Sequence, residues 1–371
     1  MLPRLRHAAA AANVNAYLVG GCVRDGLLGR PLADIDLAVA GDVASFATGI
    51  ARGLGGTFVP IGRRFGTARV VVPQPEGPPL TVDVSPLRGI LSNDLELRDF
   101  TIDALAVPLS TFDGKWDRRA VLDPLDGLRD LSAGTVRMVA PQAFDDDPLR
   151  LLRAVRLSGE LGFEIDPGTR SAIASRAEKL KTVAPERVRE ELVRIVEGDA
   201  AAERLIDLER LGLLFVILPE LAAGKGVAQP KEHYWDVLTH QFETVAAAEA
   251  LTADSMPMDN AREYLRFPAT HRPSHDAVRG YFRGRLGGLS RAGVLKLAAL
   301  LHDAGKPATK SVQPDGRTRF FGHSELGAQM VEAALTRLRF SGREVRAVSA
   351  MVLHHLRPTQ ISGDRLPTAR S

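Results

Sequence analysis

The stretch from Val19 to Leu37, which reads VGGCVRDGLLGRPLADIDL, constrains the fold of this chain more than any other part of it. An apolar run ends at Gly20-Gly21, and apolar residues then recur at helical spacing as far as Leu28. This pattern predicts a strand, a tight turn and a helix, and residues 34–39 predict a second strand. The expected unit is therefore strand, turn, helix, strand.

Two carboxylates lie close together on the second of these strands. Residues two apart in a strand face the same side, so Asp34 and Asp36 project together while the apolar residues beside them project into the core. Neighbouring carboxylates repel each other unless cations lie between them, and Mg²⁺ takes oxygen ligands that it usually shares with substrate phosphates. The backbone N–H groups after Gly20 and Gly21 would attract such a phosphate. A solvated surface strand would show the same Asp-x-Asp pattern, but its combination with the glycine turn favours a magnesium and phosphate site.

The composition sets broad limits on the class of protein. With 371 residues, the chain is long enough for two or three domains. A hydrophobic content of 45% and a charged content of 25% are ordinary for a globular protein, and a pI near 9.1 permits a nucleic-acid partner without demonstrating one. Cys22 is the single cysteine, which excludes an intramolecular disulfide and a cysteine-rich zinc site. No apolar run approaches the ~20 residues of a membrane helix, so we expect a cytoplasmic enzyme with no membrane partner.

The run GGCVRDGLLGRPLADIDLAV resembles the signature of the class II nucleotidyltransferases. These are the CCA-adding tRNA enzymes and the bacterial poly(A) polymerases of the polymerase-beta superfamily. The resemblance implies that Asp34 and Asp36 are catalytic and hold Mg²⁺. It also implies that the nucleotide is bound by Gly20, Gly21 and Arg24.

A third carboxylate is expected from a hairpin further along the chain. Residues 69–72 and 80–84 read as strands joined by a turn, after a helix predicted over 43–54. Asp83 alternates with valines, so it can face the Asp34 and Asp36 pair if the strands are neighbours. The resemblance makes Asp83 the candidate for the third catalytic carboxylate, and a solvated strand residue is the alternative.

The segment DLELRDFTIDA from 94 to 104 resembles the second motif of the same family. Leu97 stands where an arginine is common and Asp103 where an asparagine is common. Arg98 and Asp99 match the motif, which implies that both contact the nucleotide. Without the resemblance, this pair would be interpreted as an ordinary surface ion pair.

The segment FDDDPLRLLRAVR from 144 to 156 predicts a helix with a polar stripe. Asp147 is placed to cap it, Pro148 fits the first turn, and charged residues follow at intervals of three. A solvated helix face would look the same. The segment also resembles the nucleobase-selecting motif Glu-Asp-x-x-Arg, with Asp146 in place of the glutamate. This implies a nucleotide-binding set of Asp147, Arg150, Arg153 and Arg156.

The chemistry of a carboxylate beside a guanidinium suits two of the four nucleobases. Adenine and cytosine present an exocyclic amine donor beside a ring-nitrogen acceptor, whereas guanine and uracil present carbonyl acceptors beside N–H donors. Asp147 and Arg150 can therefore pair with ATP and CTP, and would leave polar groups of GTP and UTP unpaired.

The C-terminal part carries histidines and an aspartate that resemble the HD metal-dependent phosphohydrolase domain. The expected ligands are His240, His302, Asp303 and His323, with a further pair at His354-His355. Imidazoles with a carboxylate suit a divalent transition metal or Mg²⁺. HD domains commonly use one more aspartate on a late helix, and none is convincing before the sequence stops, so we expect an incomplete ligand set and either a missing tail domain or a shortened chain. Residues 252–275 are predicted to be a surface loop.

Together these resemblances imply an α+β chain with three parts. The expected domains are a polymerase-beta-like nucleotidyltransferase head with a mixed sheet and helices at 1–140, an all-helical neck that binds RNA at 141–224, and a helical HD domain at 232–371. The expected activity is template-independent addition of CMP, CMP and AMP to the 3′ end of tRNA, with CTP and ATP as substrates and two Mg²⁺ ions. The alternatives are a poly(A) polymerase, a specialised CC- or A-adding enzyme, and an HD phosphohydrolase whose head only binds RNA.

Overall fold

The computed structural model describes residues 2–32, 34–61, 66–75, 77–230, 234–253 and 280–357. The chain forms two compact units, and it passes between them more than once. The first unit comprises 1–150 and 163–172, and the second comprises 151–162 and 173–371. Most of the loop predicted over 252–275 and the end of the chain after 357 lie outside the described residues. The division into three domains stays a prediction.

The first unit is built on a mixed sheet of six strands. In chain order these are β1 Asn15–Val19, β2 Asp34–Ala40, β3 Thr57–Ile61, β4 Thr67–Val72, β5 Leu80–Pro86 and β6 Ala106–Pro108. Their spatial order is β3-β4-β5-β2-β1-β6. Strands β2 and β5 are parallel, and the other neighbours are antiparallel. The predicted mixed sheet is therefore confirmed.

Helices surround this sheet in the first unit and make up most of the second. In chain order they are α1 Leu2–Ala11, α2 Gly21–Leu27, α3 Val43–Leu54, α4 Leu91–Glu96, α5 Gly127–Ala133, α6 Gln142–Asp146, α7 Arg150–Leu161, α8 Pro167–Ala174, α9 Pro185–Glu197, α10 Ala201–Arg210, α11 Leu214–Ile217, α12 Val237–Thr252, α13 Arg291–Leu301, α14 Lys306–Thr309, α15 His323–Arg337 and α16 Gly342–Leu353. Pairs of two-residue strands are β7 Thr135–Val136 with β8 Glu164–Ile165, β9 Arg285–Leu286 with β10 Leu289–Ser290, and β11 Ser311–Val312 with β12 Thr318–Arg319. Among the described residues, no helix combines the length and the apolar character that crossing a membrane requires.

Local sequence determines where helix α3 begins and ends. The Asp42 carboxylate accepts hydrogen bonds from the backbone N–H groups of Ala44 and Ser45, and such a cap contributes about 1 kcal/mol. Gly55 ends the helix in the left-handed region at φ 65°. The side chains that α3 buries recur at helical spacing, as Phe46 and Ile50 do. The helix predicted over 43–54 is therefore present.

Helix α7 begins later than the sequence indicates. Its first residue is Arg150, whereas the pattern predicts a cap at Asp147 and a first turn at Pro148. Asp147 instead accepts a hydrogen bond from the N–H of Leu149 at 3.2 Å and holds a turn that precedes the helix. The buried face is as predicted, because Leu152 and Val155 are fully buried.

Candidate active site and metal centre

Strand register brings the three predicted catalytic carboxylates to one place in the first unit. In the parallel pair of β2 and β5, Asp36 lies opposite Asp83 and Asp34 lies opposite Thr81. Asp34 and Asp83 both act electrostatically on Asp36, as expected for carboxylates on one face of adjacent strands. The predicted neighbourhood of the two strands is thus present, and the catalytic role of the three residues stays a prediction.

The charge of Asp36 is destabilised by its surroundings. Burial raises the pKa of this carboxyl to about 6, Arg98 opposes the shift, and the charges of Asp83 and Asp34 add to it. Asp34 is exposed and accepts a hydrogen bond from the hydroxyl of Thr81. A cluster of carboxylate oxygens that repel one another fits a hard divalent cation such as Mg²⁺.

Arg69 is a member of this cluster that the sequence did not single out. Its Nε and Nη2 lie 2.7 Å from the two oxygens of Asp83, which makes a bidentate ion pair across β4 and β5. The charges of Asp34 and Asp36 also act on Arg69. The hairpin register could have indicated this contact, because Arg69 and Asp83 lie opposite each other once the strands are paired.

The Gly20-Gly21 turn passes between two arginines. A side chain at Gly20 would place its Cβ 2.7 Å from Nη1 of Arg98 and 3.4 Å from Oδ2 of Asp36, and φ there is 74°. At Gly21 the same Cβ would lie 3.3 Å from Nη2 of Arg24. Only glycine therefore lets the backbone approach both guanidinium groups so closely.

The predicted nucleotide-binding residues of the head already have partners. Arg24 is buried, with Nη1 at 2.5 Å from Oδ1 of Asp103, and Nε and Nη2 at 2.9 and 3.1 Å from the carboxylate of Asp25. Arg98 contacts the buried Asp94 at 3.4 Å. Asp99 is buried, and its Oδ1 accepts the N–H of the next residue at 3.1 Å. Contact of these residues with a nucleotide stays a prediction.

Arg150 is anchored on backbone carbonyl groups of the first unit. Its Nη2 donates to the carbonyl oxygen of Leu97 at 3.0 Å, and its Nη1 to that of Ala143 at 3.3 Å. The guanidinium thus lies beside the second motif, next to the partly exposed side chain of Leu97. Asp147 lies in the turn just before Arg150, so both members of the predicted nucleobase pair are at the start of α7.

Arg156 forms ion pairs that the three-residue spacing of the charged side chains did not predict. It is buried, with Nε 2.7 Å from Oε2 of Glu191 on α9 and Nη1 2.6 Å from Oε2 of Glu160. Burial between two carboxylates accounts for this arginine without a nucleotide. Arg153, three residues earlier, is half-buried. The predicted nucleotide contact of Arg156 therefore gains no support from its surroundings, and that of Arg153 is untested.

A histidine cluster in the second unit gathers around one buried aspartate. It consists of His240, His302, Asp303, His323 and His355. The distances from Nε2 of these histidines to the nearer Asp303 oxygen are 3.6 Å, 3.0 Å, 3.7 Å and 3.7 Å in chain order. The four predicted ligands are thus brought together, and His355 joins them. The sequence showed His355 beside His354, but a late aspartate was expected to complete the set.

The cluster divides into two groups that share Asp303. Nε2 of His240 and His302 lie 3.3 Å apart beside Oδ2, and Nε2 of His323 and His355 lie 3.2 Å apart beside Oδ1. Either group offers two imidazoles and one carboxylate oxygen. This donor set fits a divalent transition metal.

Three of the imidazoles are oriented by the backbone. In each of His302, His323 and His355, Nδ1 lies 2.6–2.9 Å from the carbonyl oxygen three residues earlier. A carbonyl only accepts, so Nδ1 carries the proton and Nε2 presents its lone pair to the cluster. Burial and the charges of His302 and His323 lower the pKa of His355, which favours the neutral form that binds metal.

Asp303 is fully buried, and neither of its oxygens accepts a well-aligned hydrogen bond among the described residues. Burial alone would raise its pKa, but His302 and the Lys306 ammonium, 2.7 Å from Oδ2, hold that pKa well below its usual value. A buried carboxylate in this state fits a metal ligand. The cluster opens into a cavity of about 530 Å³, whose wall includes Arg319 and Phe321.

Comparison with known proteins agrees with this geometry. Residues 16–89 match the poly(A) polymerase head domain, residues 162–225 the probable RNA- and SrmB-binding site of polymerase A, and residues 281–370 the HD domain. The fold is similar to that of a tRNA nucleotidyltransferase solved with a primer tRNA and an incoming ATP analogue, with a TM-score of 0.66 and 22% identity over 97% of this chain and 87% of that one.

Several curated relatives match most of the chain. An A-adding tRNA nucleotidyltransferase of Deinococcus radiodurans is 35% identical over 92% of this chain and 68% of its own length. A CC-adding tRNA nucleotidyltransferase of Thermus thermophilus is 34% identical over 96% and 70%. A multifunctional CCA protein of Nitrosococcus oceani is 30% identical over 92% and 75%. The chain is a tRNA nucleotidyltransferase of the class II CCA-adding and poly(A) polymerase family, with an HD domain.

Proposed function

We propose that this enzyme adds CMP, CMP and AMP in turn to the 3′ end of tRNA, in the cytoplasm. The observation that carries the proposal is the register of β2 and β5, which places Asp83 beside Asp36, while Asp36 itself lies beside a glycine turn flanked by arginines. The relatives named above act on tRNA, and similar folds have been solved with CTP and with ATP. Both lines support nucleotide transfer to tRNA.

The residues of the head divide the work of the reaction. Asp34 and Asp36 would hold the Mg²⁺ ions, whose chemistry when bound is to activate the 3′-hydroxyl and neutralise the phosphate charge. A bond forms between the 3′-oxygen and the α-phosphorus, the bond between the α- and β-phosphates breaks, and pyrophosphate leaves. Arg98 lies where the glycine turn lets the triphosphate approach, and stabilises the departing charge.

Base selection is assigned to the start of α7. Arg150 is held by the carbonyl groups of Leu97 and Ala143, so its guanidinium is pre-positioned before a nucleotide arrives. With Asp147 it supplies the donor and acceptor that the Watson–Crick edges of cytosine and adenine require. Uracil and guanine would leave these charged groups unpaired, which is unfavourable away from water.

The order of addition is tested with two RNA substrates. We would incubate a tRNA that lacks its CCA end with CTP alone and then with CTP and ATP, and a tRNA that ends in CC with ATP alone. Extension by two, by three and by one nucleotide, respectively, supports complete CCA addition. Extension of only the first substrate, and only by CC, would show a CC-adding enzyme, and activity only on the CC end an A-adding one. A long adenylate product would show a poly(A) polymerase.

The histidine cluster supports a second activity of a different class. Buried and half-buried imidazoles around Asp303 suit a metal-dependent phosphohydrolase, and the cavity above them provides room for a substrate. Added Mn²⁺ or Ni²⁺ should then support hydrolysis of phosphodiesters or phosphomonoesters.

Substitution separates this second activity from nucleotide addition. Asp303→Ala should abolish the hydrolysis and the binding of Mn²⁺ to the cluster while nucleotide addition persists, because the head holds its own metals. Asp315→Ala is the matched control, since Asp315 is an exposed aspartate of the same unit. Loss of nucleotide addition in folded Asp303→Ala would mean that the HD domain takes part in polymerisation.

A further inference from the structure

Arg24, whose guanidinium lies beside Gly21 of the glycine turn, is held by two carboxylates. Nη1 of Arg24 lies 2.5 Å from Asp103, and its Nε and Nη2 bind both oxygens of Asp25. All three of its nitrogens therefore face a negative charge. Its positive charge is opposed by two negative ones, of which Asp25 also lies 3.8 Å from Nε of the more exposed Arg30.

Burial makes this neutralisation effective. The side chains of Arg24 and Asp103 are 9% and 7% exposed, and that of Asp25 is 23% exposed. Water screens such charges poorly, so a phosphate that approaches the turn meets Arg24 together with its carboxylates rather than as an isolated cation. Asp103 also acts electrostatically on Asp36, so its charge reaches the metal-binding carboxylates.

Arg98, which lies beside Gly20, has fewer carboxylate contacts than Arg24. Among the described residues, Arg98 makes only a long ion pair of 3.4 Å with Asp94, and its buried Nε donates to no acceptor. The two arginines on either side of the turn thus differ in the charge that they can offer to a phosphate.

We propose that Asp103, together with Asp25, neutralises Arg24 and so weakens the binding of the nucleotide triphosphate. Asp103 is then a residue that sets nucleotide affinity without touching the reacting atoms. This inference rests on the proposed nucleotide-transfer function, and it assigns Asp103 a role opposite to that of a phosphate ligand. Weak binding of the triphosphate also weakens binding of the pyrophosphate product, which carries the same charged groups.

The test is Asp103→Asn in the full chain. The side chains have the same shape, and the amide oxygen can still accept from Arg24, while the negative charge is removed. We expect KM for CTP and for ATP to fall about three- to tenfold, as a charge removed from a poorly screened site would produce. The turnover number should change by a smaller factor than KM, because Asp103 acts on the reacting centre only through the charge of Asp36.

The inhibition constant of pyrophosphate distinguishes the proposed role of Asp103 from a purely structural one. A structural role would leave this constant unchanged. Pyrophosphate has no base or ribose, so its inhibition constant should fall by the same factor as KM. An unchanged or higher KM, or a lower KM with unchanged pyrophosphate inhibition, would overturn the inference. A wild-type enzyme that adds no nucleotide would instead overturn the proposed function itself.

Two further variants serve as a control and as a second test of the inference. Asp130→Asn is the matched control, because Asp130 is also a buried aspartate of the head that binds an arginine, Arg137, at 2.9 Å. It should leave KM unchanged. If Asp103→Asn does not fold, Asp25→Asn removes charge from the same guanidinium at a more exposed position, and it too should lower KM. A raised KM in Asp25→Asn would show that the carboxylates orient Arg24 for phosphate, contrary to the inference.

Discussion

Asp36 shows at the scale of one residue why a proposed metal ligand destabilises the folded chain. Its carboxylate is charged at neutral pH although burial and three other carboxylates, those of Asp83, Asp34 and Asp103, oppose the charge. Such a group lowers the stability of the folded chain until a cation binds it. When no Mg²⁺ is bound, the unfavourable charge of Asp36 should therefore lower the stability of the folded chain measurably.

Asp36→Asn should abolish nucleotide addition and also stabilise the metal-free protein at high pH. The folded pKa of about 6 lies above the ordinary value of 3.8. The folded state thus binds a proton more tightly than the unfolded state, and stability falls as pH rises from about 4 to 6. The neutral amide avoids this loss. The melting temperature in EDTA should be higher for the variant at pH 8, and the difference from the wild type should shrink as the pH is lowered from 6 to below 4.

Added Mg²⁺ provides the control for this prediction. It should raise the melting temperature of the wild type at pH 8 and have a smaller effect on the variant, because one metal-binding charge is missing. Equal melting temperatures of the two proteins in EDTA at pH 8 would show that the charge of Asp36 does not destabilise the folded chain.

Asp147→Ala should reduce base discrimination more than stability. The exocyclic amine of cytosine would lose its acceptor, and UTP would no longer meet a repelling carboxylate. We expect the preference for CTP over UTP, measured as the ratio of kcat/KM values, to fall about tenfold or more. Asp113→Ala is the control, since Asp113 is an exposed aspartate of the same unit that accepts from the N–H of Lys115 at 2.9 Å. An unchanged ratio in Asp147→Ala would remove the proposed pairing.

At the scale of elements, two arginines six positions apart on α7 take different roles. Arg150 is tied to carbonyl groups of the first unit, whereas Arg156 is buried between Glu191 on α9 and Glu160 on its own helix. A stripe of arginines along one helix therefore need not serve one ligand. The position of each along the helix decides what its guanidinium can reach.

Arg156→Ala should destabilise the second unit strongly. It leaves Glu191 buried without its partner, and breaking a buried ion pair costs about 3–5 kcal/mol. The free energy of unfolding from a urea titration measures the effect. The double variant Arg156→Met with Glu191→Leu removes both charges and should recover much of the loss. A change below about 1 kcal/mol together with a raised KM for nucleotide would instead support the predicted nucleotide contact.

At the scale of the whole molecule, the two units are interleaved along the chain. Residues 151–162 belong to the second unit, and 163–172 return to the first. In the first unit β7 pairs with β8, and the hydroxyl of Thr169 accepts the N–H of Met138 at 3.0 Å. A cut after residue 150 therefore removes part of the first unit from the rest.

The fragment 1–150 should unfold at a lower urea concentration than the same unit in the full chain. It lacks β8 and Thr169, so backbone groups of β7 and of Met138 lose their partners. Fluorescence of Trp116 reports on this unit, and Trp235→Phe removes the other tryptophan from the full chain. Equal midpoints would show that residues 163–172 contribute nothing to the stability of the first unit.

Local sequence was sufficient for the elements and for part of the site. Periodicity, a capping aspartate and glycines set β1, α2, β2 and α3, because these signals act over a few residues. Asp34 and Asp36 face the same side of one strand for the same reason. Their candidacy as metal ligands could therefore be stated before any tertiary structure was known.

Contacts between distant residues depended on the tertiary structure. Arg24 and Asp103 are 79 positions apart, and only the fold shows that they form a buried pair. Register decides that Asp83 faces Asp36 and binds Arg69, and helix packing brings His355 to Asp303 and Arg156 to Glu191. Spacing along the chain gives the direction of a side chain on its own element, whereas the partner it meets is chosen by long-range packing, which local pattern does not encode.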